Sequence, residues 1–306
     1  MRRPAIPTGL YTIDTFDSFA GPARPADGYD ALVTIVGIGG TGAFLAEDLA
    51  RLLTVHFGWR VHFHFADHDR VEIQNAQRQA FSVRDQGNYK AQVVAERLVR
   101  QFPIEVSVSL APYDHRRDAP LALRVSDRPR LALLIGCVDN PNARRELART
   151  LEQSSYGSPN PWLLDLGNGA ASGQLYLGNA LPAEGLRGAF DPETRICRAL
   201  PAPSIQAPEL LDAPTASLPT ALDQDCAEAQ IAGDQEPFVN RAIAALGLTM
   251  VARLCQRRLT WRAMFFDLDA GTLHYTHVDP HDIASLVGIR TDSVLRRQRS
   301  SATADA

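Results

Sequence analysis

Several groups of residues in this chain have the types and spacing to hold a nucleoside triphosphate and let it be cleaved. Val33-Thr34-Ile35-Val36 runs into Gly37-Ile38-Gly39-Gly40-Thr41-Gly42. Glycines in such a turn let backbone N–H groups approach a phosphate, and the helix dipole that follows favours its charge. Asp67 closes the next apolar run, where an acid accepts from ribose hydroxyls. Asp69, Asn75, Arg78 and Gln79 come next, and Lys90 opens a helical pattern; Asp139 and Asn140 follow a later apolar run. A dinucleotide kept intact for hydride transfer needs no cluster of Arg, Lys and a second Asp, whereas a triphosphate split at its α-phosphorus does. Arg78 and Lys90 can neutralise a leaving pyrophosphate, and Asp139 can hold Mg²⁺ across the phosphates.

Each residue also has a plainer reading. Asp67 suits a turn cap at a strand end, and Arg78 and Lys90 suit a solvated surface. Asp139 suits the N-cap of the next helix, and for Asp139-Asn140 a cap role is compatible with metal binding. Asp69 either assists the metal or shapes the turn. His62 and His64 alternate along a strand and read as ordinary strand residues. The joint placement of Asp67, Arg78, Lys90 and Asp139 favours the nucleotide reading.

The elements that must position these residues follow from periodicity. Apolar runs at 32–36, 61–66, 104–110, 130–138 and 161–167 read as strands. Between them, Leu45, Ala46, Leu49, Leu52 and Leu53 recur at helical spacing, as do Ala91, Val94, Ala95, Leu98 and Phe102, and a helix fits 141–152. Strands alternating with helices predict an α/β fold with a mostly parallel sheet and helices on both faces. Ligands in such sheets gather at the carboxyl ends of the strands, which puts Gly37, Asp67 and Asp139 on one rim.

The alternation stops near Gly178. Seven prolines from Pro182 to Pro219 predict a long irregular crossover, about 180–235. A helix with the stripe Val239, Ile243, Leu246, Met250 and Leu254 follows, opened by Pro237, and then a hairpin over 263–279 turning at Asp269-Ala270-Gly271. Residues 1–28 read as an arm over the surface. Residues 290–306, polar and basic, read as a disordered tail.

Composition narrows the class. A chain of 306 residues with 45% hydrophobic and 22% charged residues can bury a core, and its net charge of −4 argues against a nucleic-acid partner. Arg2 and Arg3 precede no apolar segment, and the charge-free run from Ala242 to Ala252 is too short for a bilayer. The expectation is a cytoplasmic protein with no membrane partner. Cys137, Cys197, Cys226 and Cys255 form no CxxC pair, so no structural zinc is expected.

The ordered motifs GxGGxG, DxDxV…N…RQ, DxGxxK and CxDN resemble the ThiF/MoeB superfamily of ubiquitin-activating-like enzymes over about residues 29–260. Leu164-Asp165-Leu166-Gly167-Asn168-Gly169 and Asp225-Cys226-Ala227-Glu228-Ala229 are most similar to ThiF-related proteins of bacterial PRTRC cassettes. The resemblance implies a Rossmann-like single adenylation domain over 29–289 that uses ATP and Mg²⁺. Its substrate would be the C-terminal carboxylate of a ubiquitin-like or sulfur-carrier protein, and the enzyme a homodimer. It implies that Gly37, Gly39, Gly40 and Gly42 line the nucleotide turn and that Asp67 takes the ribose. Asn75, Arg78 and Lys90 would contact phosphates, Gln79 would position Arg78, and Asp139, beside Asn140, would bind Mg²⁺. A downstream cysteine would accept the activated carrier. Cys226, just before the helical region, fits that place, and Cys197 is the alternative. The spacing from Arg78 to Lys90 is one residue shorter than usual, and the helix after Cys226 lacks the usual glycine-rich opening. Two other readings remain open: adenylation of a tRNA base, and a nucleotide-binding scaffold or inactive subunit.

Overall fold

A computed structural model describes residues 9–14, 28–118, 129–152, 161–181, 183–212 and 238–296. In chain order the first half contains β1 (Thr12–Ile13), β2 (Ala31–Val36), α1 (Gly40–Ala50), β3 (Val61–Ala66), α2 (Lys90–Gln101), β4 (Glu105–Ser109), β5 (Leu131–Gly136) and α3 (Pro141–Glu152). The second half contains β6 (Trp162–Asn168), β7 (Ser172–Gly178), β8 (Phe190–Asp191), β9 (Ile196–Cys197), α4 (Pro203–Gln206), α5 (Val239–Cys255), β10 (Trp261–Asp267), β11 (Thr272–His277), α6 (Pro280–Leu286) and α7 (Thr291–Val294).

The eight-stranded sheet has the order β11-β10-β7-β6-β5-β2-β3-β4. From β4 to β6 neighbouring strands are parallel, and β7, β10 and β11 extend the sheet antiparallel. The expected α/β, Rossmann-like architecture is therefore the one adopted. β2 and β5 are buried at every position, as central parallel strands covered on both faces must be. Side-chain alternation divides the core in two. Val33, Ile35, Leu133 and Leu164 pack with Leu45, Leu49, Leu98 and Ile243 of α1, α2 and α5. Val36, Leu134 and Leu163 pack on the other face with Leu147 and Leu151 of α3.

Register sets the rim. Val36 pairs with both Ala66 and Gly136, so β2, β3 and β5 end level, and Gly37, Asp67 and Cys137 each stand one residue beyond. Chain β2 crosses to β3 on one side while β5 lies on the other, so the crevice between their carboxyl ends is the switch point of the sheet.

Pattern reading missed three features. Ser172–Gly178 is a full strand antiparallel to β6, although its alternation is broken by two glycines. The described part of the crossover, 183–212, holds β8, β9, α4 and short 3₁₀ turns rather than wholly irregular chain. Finally, the described parts of the two terminal segments, 9–14 and 290–296, pack inward. In the N-terminal arm, Thr12 and Ile13 pair in parallel with Ile196 and Cys197, the Tyr11 ring meets Phe190 edge-on, and Ile13 is wholly buried. At the other end Val294 is wholly buried and the Arg296 N–H donates to the Phe190 carbonyl at 2.7 Å. Two-residue strands carry too little sequence to be seen before their distant partners are known. No helix among the described residues is long and apolar enough to cross a membrane.

Candidate nucleotide site

The glycine turn is built by close backbone approach. Gly37 has φ +85°, its N–H donates to the Ala66 carbonyl at 3.0 Å, and a Cβ there would overlap the Cys137 carbonyl. A Cβ at Gly42 would overlap the carbonyl oxygen of Gly37, so the helix folds directly back onto the turn. Gly39 differs: a Cβ there would meet nothing within 4 Å. No side chain caps α1 at Gly39, and the first turn contains no acid. The leading N–H groups of a helix have no intrahelical acceptor, so this end offers donors and a positive dipole over open space.

Asp67 fastens this turn to β3. The residue is buried, its Oδ2 accepts from the Ile38 N–H at 2.6 Å, and its Oδ1 accepts from the Asp69 N–H at 2.8 Å. Burial pushes the Asp67 carboxyl above the usual range, against the two N–H donors, with the Asp69 charge raising it and Lys90 lowering it. The turn-capping role is thus present in the geometry, alongside the ribose role expected of it.

The motif from Asp67 to Lys90 closes on itself. The Lys90 N–H donates to the Asp69 carbonyl at 2.9 Å, Val71 N–H to Asn88 at 2.8 Å, and Gly87 N–H to Val71 at 2.8 Å. The Lys90 ammonium, 10% exposed, lies 3.0 Å from Asp69 Oδ2, whose carboxylate is 54% exposed. Asp67, His68 and Asp69 bring ligand atoms within 4.8 Å of one another, a grouping able to hold a cation. Pattern reading missed Arg70, whose guanidinium stacks 3.9 Å from the centre of the Tyr89 ring and donates to the Gly87 carbonyl at 2.6 Å. The adjoining charged and aromatic residues were its only signal.

Asn75, Arg78 and Gln79 lie on one 3₁₀ turn, Ile73–Gln77, and its exit. Asn75 Oδ1 accepts from the Glu72 N–H at 2.8 Å, and the Asn75 carbonyl accepts from Arg78 and Gln79 at 3.3 and 2.8 Å. The structure brings these three together, and both Asn75 carbonyl oxygens serve the turn. Gln79 Oε1 is buried without a hydrogen-bond partner, a polar orphan of the kind a bound polar group satisfies.

Asp139 and Asn140 sit on the loop beyond β5, on the opposite side of the glycine turn from Asp67. Asp139 is exposed. Asn140 Oδ1 accepts from the Ala143 N–H at 2.9 Å, so Asn140 is the residue that caps α3. Behind them, Arg144 and the buried Asp165 pair at 3.3 Å. Thr41, Asn168 and Asn240 also meet beneath α1; a polar residue inside the apolar stripe of α5 was their signal.

Cys226 lies outside the described residues. Cys197, the alternative thiol, is wholly buried on β9 and donates to the Ala199 carbonyl, and burial raises its thiol pKa well above the ordinary value. Burial likewise raises Cys137 and pushes Cys255 up to about 12. None of the described cysteines has the exposed, electropositive setting of a reactive thiolate.

An uncapped helix terminus, an open position at Gly39 and a buried ammonium together suit an anionic group such as a polyphosphate. Residues 27–160 match the ThiF family. Among solved structures, E. coli MccB with MccA-N7isoASN superposes with a TM-score of 0.52 at 19% identity, covering 81% of this chain and 64% of that one. E. coli MccB with ATP gives 0.51 at 19% identity with the same coverage. E. coli MccB with MccA gives 0.51 at 18% identity, covering 84% and 66%. At these identities the likeness is one of fold, and in the first two structures the matched part is just under two thirds of that chain's length. No curated protein matches the sequence.

Proposed function

Because residues 27–160 match the ThiF family, we propose that this protein activates a carboxylate by ATP-dependent adenylation, and that the carboxylate is the C-terminus of a ubiquitin-like or sulfur-carrier protein. One observation carries the reading: the buried Lys90 ammonium pairs with Asp69 and acts electrostatically on Asp67, whose carboxylate holds the Ile38 N–H of the turn leading into the uncapped start of α1 at Gly39. Two fold relatives, MccB solved with ATP and MccB solved with MccA, support the pairing of a nucleotide with a peptide-like partner.

ATP, when bound, supplies the adenylyl group and pyrophosphate as leaving group. The chain's part is to bind and align, since a carboxylate nucleophile is already an anion and needs no base. The N–H groups at Gly39, Gly40 and Gly42 and the turn at Gly37 cradle phosphates, with Asp67 accepting from the ribose. Asn75, Arg78 and Lys90 take up phosphate charge, and Gln79 orients Arg78. Asp139 would hold Mg²⁺, next to Asn140, and Asp69, across the glycine turn, would contribute to the same nucleotide site. Residues 29–289 act as one adenylation domain, in a homodimer, and Cys226 receives the activated carrier.

ATP–pyrophosphate exchange with a candidate carrier tests this. Removing a preorganised electrostatic group costs about 10²–10³-fold in rate, so Lys90→Ala and Asp139→Ala should each lose exchange on that order. Exchange at the wild-type rate in both would overturn the assigned roles. Tight MgATP binding with no exchange in the presence of any carrier would favour a scaffold. A carrier conjugate on a non-reducing gel that persists in Cys226→Ala would move the transfer step to another thiol.

A further inference from the structure

The glycine turn is held from below by three polar residues with no role in the reading above. Thr41 lies in the first turn of α1, Asn168 ends β6, and Asn240 lies in the first turn of α5. Thr41 Oγ1 is 3.3 Å from Asn168 Oδ1 and 3.3 Å from Asn240 Oδ1, and Asn168 Nδ2 donates to Asn240 Oδ1 at 3.4 Å. Thr41 and Asn240 are both 6% exposed. A Cβ at Gly40 would come within 2.5 Å of Asn240 Nδ2 and 2.8 Å of its Oδ1, so the carboxamide packs flat against the α1 backbone one residue after Gly39.

An apolar side chain of the same size would fill this space at lower desolvation cost. Burying a carboxamide is unfavourable unless it is hydrogen-bonded, and what the bonds add is direction. The ties run from the first turn of α1 to two separate elements, the end of β6 and the start of α5. Neighbouring residues on α5 are apolar and buried: Val239, Ile243 and Ala244. Packing alone could let α1 slide along its axis; the Thr41 hydroxyl proton, shared between the two amide oxygens, and the Asn168–Asn240 bond fix how far its leading N–H groups project into the crevice.

We propose that Thr41, Asn168 and Asn240 are positioning residues for the nucleotide turn. The inference rests on the nucleotide reading above.

The test is isothermal titration of the full chain with MgATP, run beside thermal melts of the unliganded protein. Thr41→Val keeps the shape and removes the hydroxyl, Thr41→Ser keeps the hydroxyl, and Asn240→Leu keeps the volume and removes the amide. Thr41→Val and Asn240→Leu should each weaken MgATP about tenfold, equivalent to about 1.4 kcal/mol, while Thr41→Ser binds within about twofold of wild type. Because the residues act as a unit, the double variant should lose less than the product of the single losses. Unliganded melting should not follow the same rank order, which separates positioning from general stabilisation. MgATP affinities within about twofold of wild type in Thr41→Val and Asn240→Leu would overturn the proposal. So would losses that multiply and track melting. A wild-type chain that binds no MgATP would instead overturn the nucleotide reading itself, whatever the variants do.

Discussion

Lys90 and Asp69 are clasped twice, through a backbone hydrogen bond of 2.9 Å and a side-chain ion pair of 3.0 Å, yet only the lysine is buried. This asymmetry sets unequal consequences for the two partners. Lys90→Met leaves a carboxylate that water can solvate, so the fold should be little affected while exchange falls about 10²–10³-fold. Asp69→Asn leaves a buried ammonium with its counter-charge removed. Losing one partner of a fully buried pair costs about 3–5 kcal/mol; with Asp69 half-exposed, about 1–2 kcal/mol is expected. MgATP can replace the lost charge, so it should raise the melting temperature of Asp69→Asn more than that of wild type. Melting with and without MgATP measures both effects, and equal ligand shifts would contradict the assignment of Lys90 to the phosphates.

Adjacent residues on the β5 loop should separate in the same way. Asn140 caps α3 through the Ala143 N–H, whereas Asp139 is exposed. Asn140→Ala should cost about 1 kcal/mol of stability, the usual effect of a lost N-cap. Asp139→Ala should melt near wild type and lose exchange about 10²–10³-fold. Raising Mg²⁺ should recover part of the Asp139→Ala activity and none of the Asn140→Ala stability. A stability loss confined to Asp139→Ala would reverse the two roles.

What could be read beforehand divides along sequence distance. The glycine turn was legible because strand, turn and helix are contiguous, and the rim followed because parallel strands place their carboxyl ends together. Asp67 and Asn75 were found but their duties only half foreseen. Pattern places an acid at a strand end, whereas its bonds to the Ile38 and Asp69 N–H groups depend on backbone geometry. The capping residue was misplaced by one for the same reason. The contacts of Tyr11, Ile13 and Val294 join parts far apart in the chain, and so does Thr41 with Asn240; no local period encodes them. Cys197 was a candidate by position along the chain and lies buried in the core, which position does not reveal.

The glycines at the turn divide into those that leave no room for a side chain and one, Gly39, that opens on free space. A Cβ at Gly42 would overlap the Gly37 carbonyl, while one at Gly39 would enter open space. Gly42→Ala should therefore fold poorly or melt well below wild type. Gly39→Ala should melt closer to wild type and bind MgATP more weakly, because its methyl group occupies the space where a phosphate would approach. Melting and titration on the two proteins check this. Unchanged MgATP affinity in Gly39→Ala would remove phosphate from that position.

The last expectation concerns acid stability, away from the rim. Asp118 is 2% exposed and accepts from Arg117 Nε and Nη2 at 3.0 and 2.8 Å and from the Asp114 N–H at 2.9 Å, with His64 Nε2 at 3.5 Å. Burial raises its carboxyl, but His64, the Arg117 side chain and the Asp114 N–H outweigh burial and hold it well below the usual range. A carboxylate depressed in the native state stabilises the fold above its ordinary pKa of about 3.9, and that contribution drains away as pH falls toward the native value. Asp118→Asn should therefore lower stability at pH 7 and flatten its loss below about pH 4. Other depressed carboxylates, such as Asp114 and Glu146, will keep part of the acid dependence, and Asp67, which is shifted upward, opposes it. Urea unfolding at pH 7 and pH 3 measures the difference: a drop as steep in Asp118→Asn as in wild type would show that the Arg117 pair contributes nothing to acid unfolding.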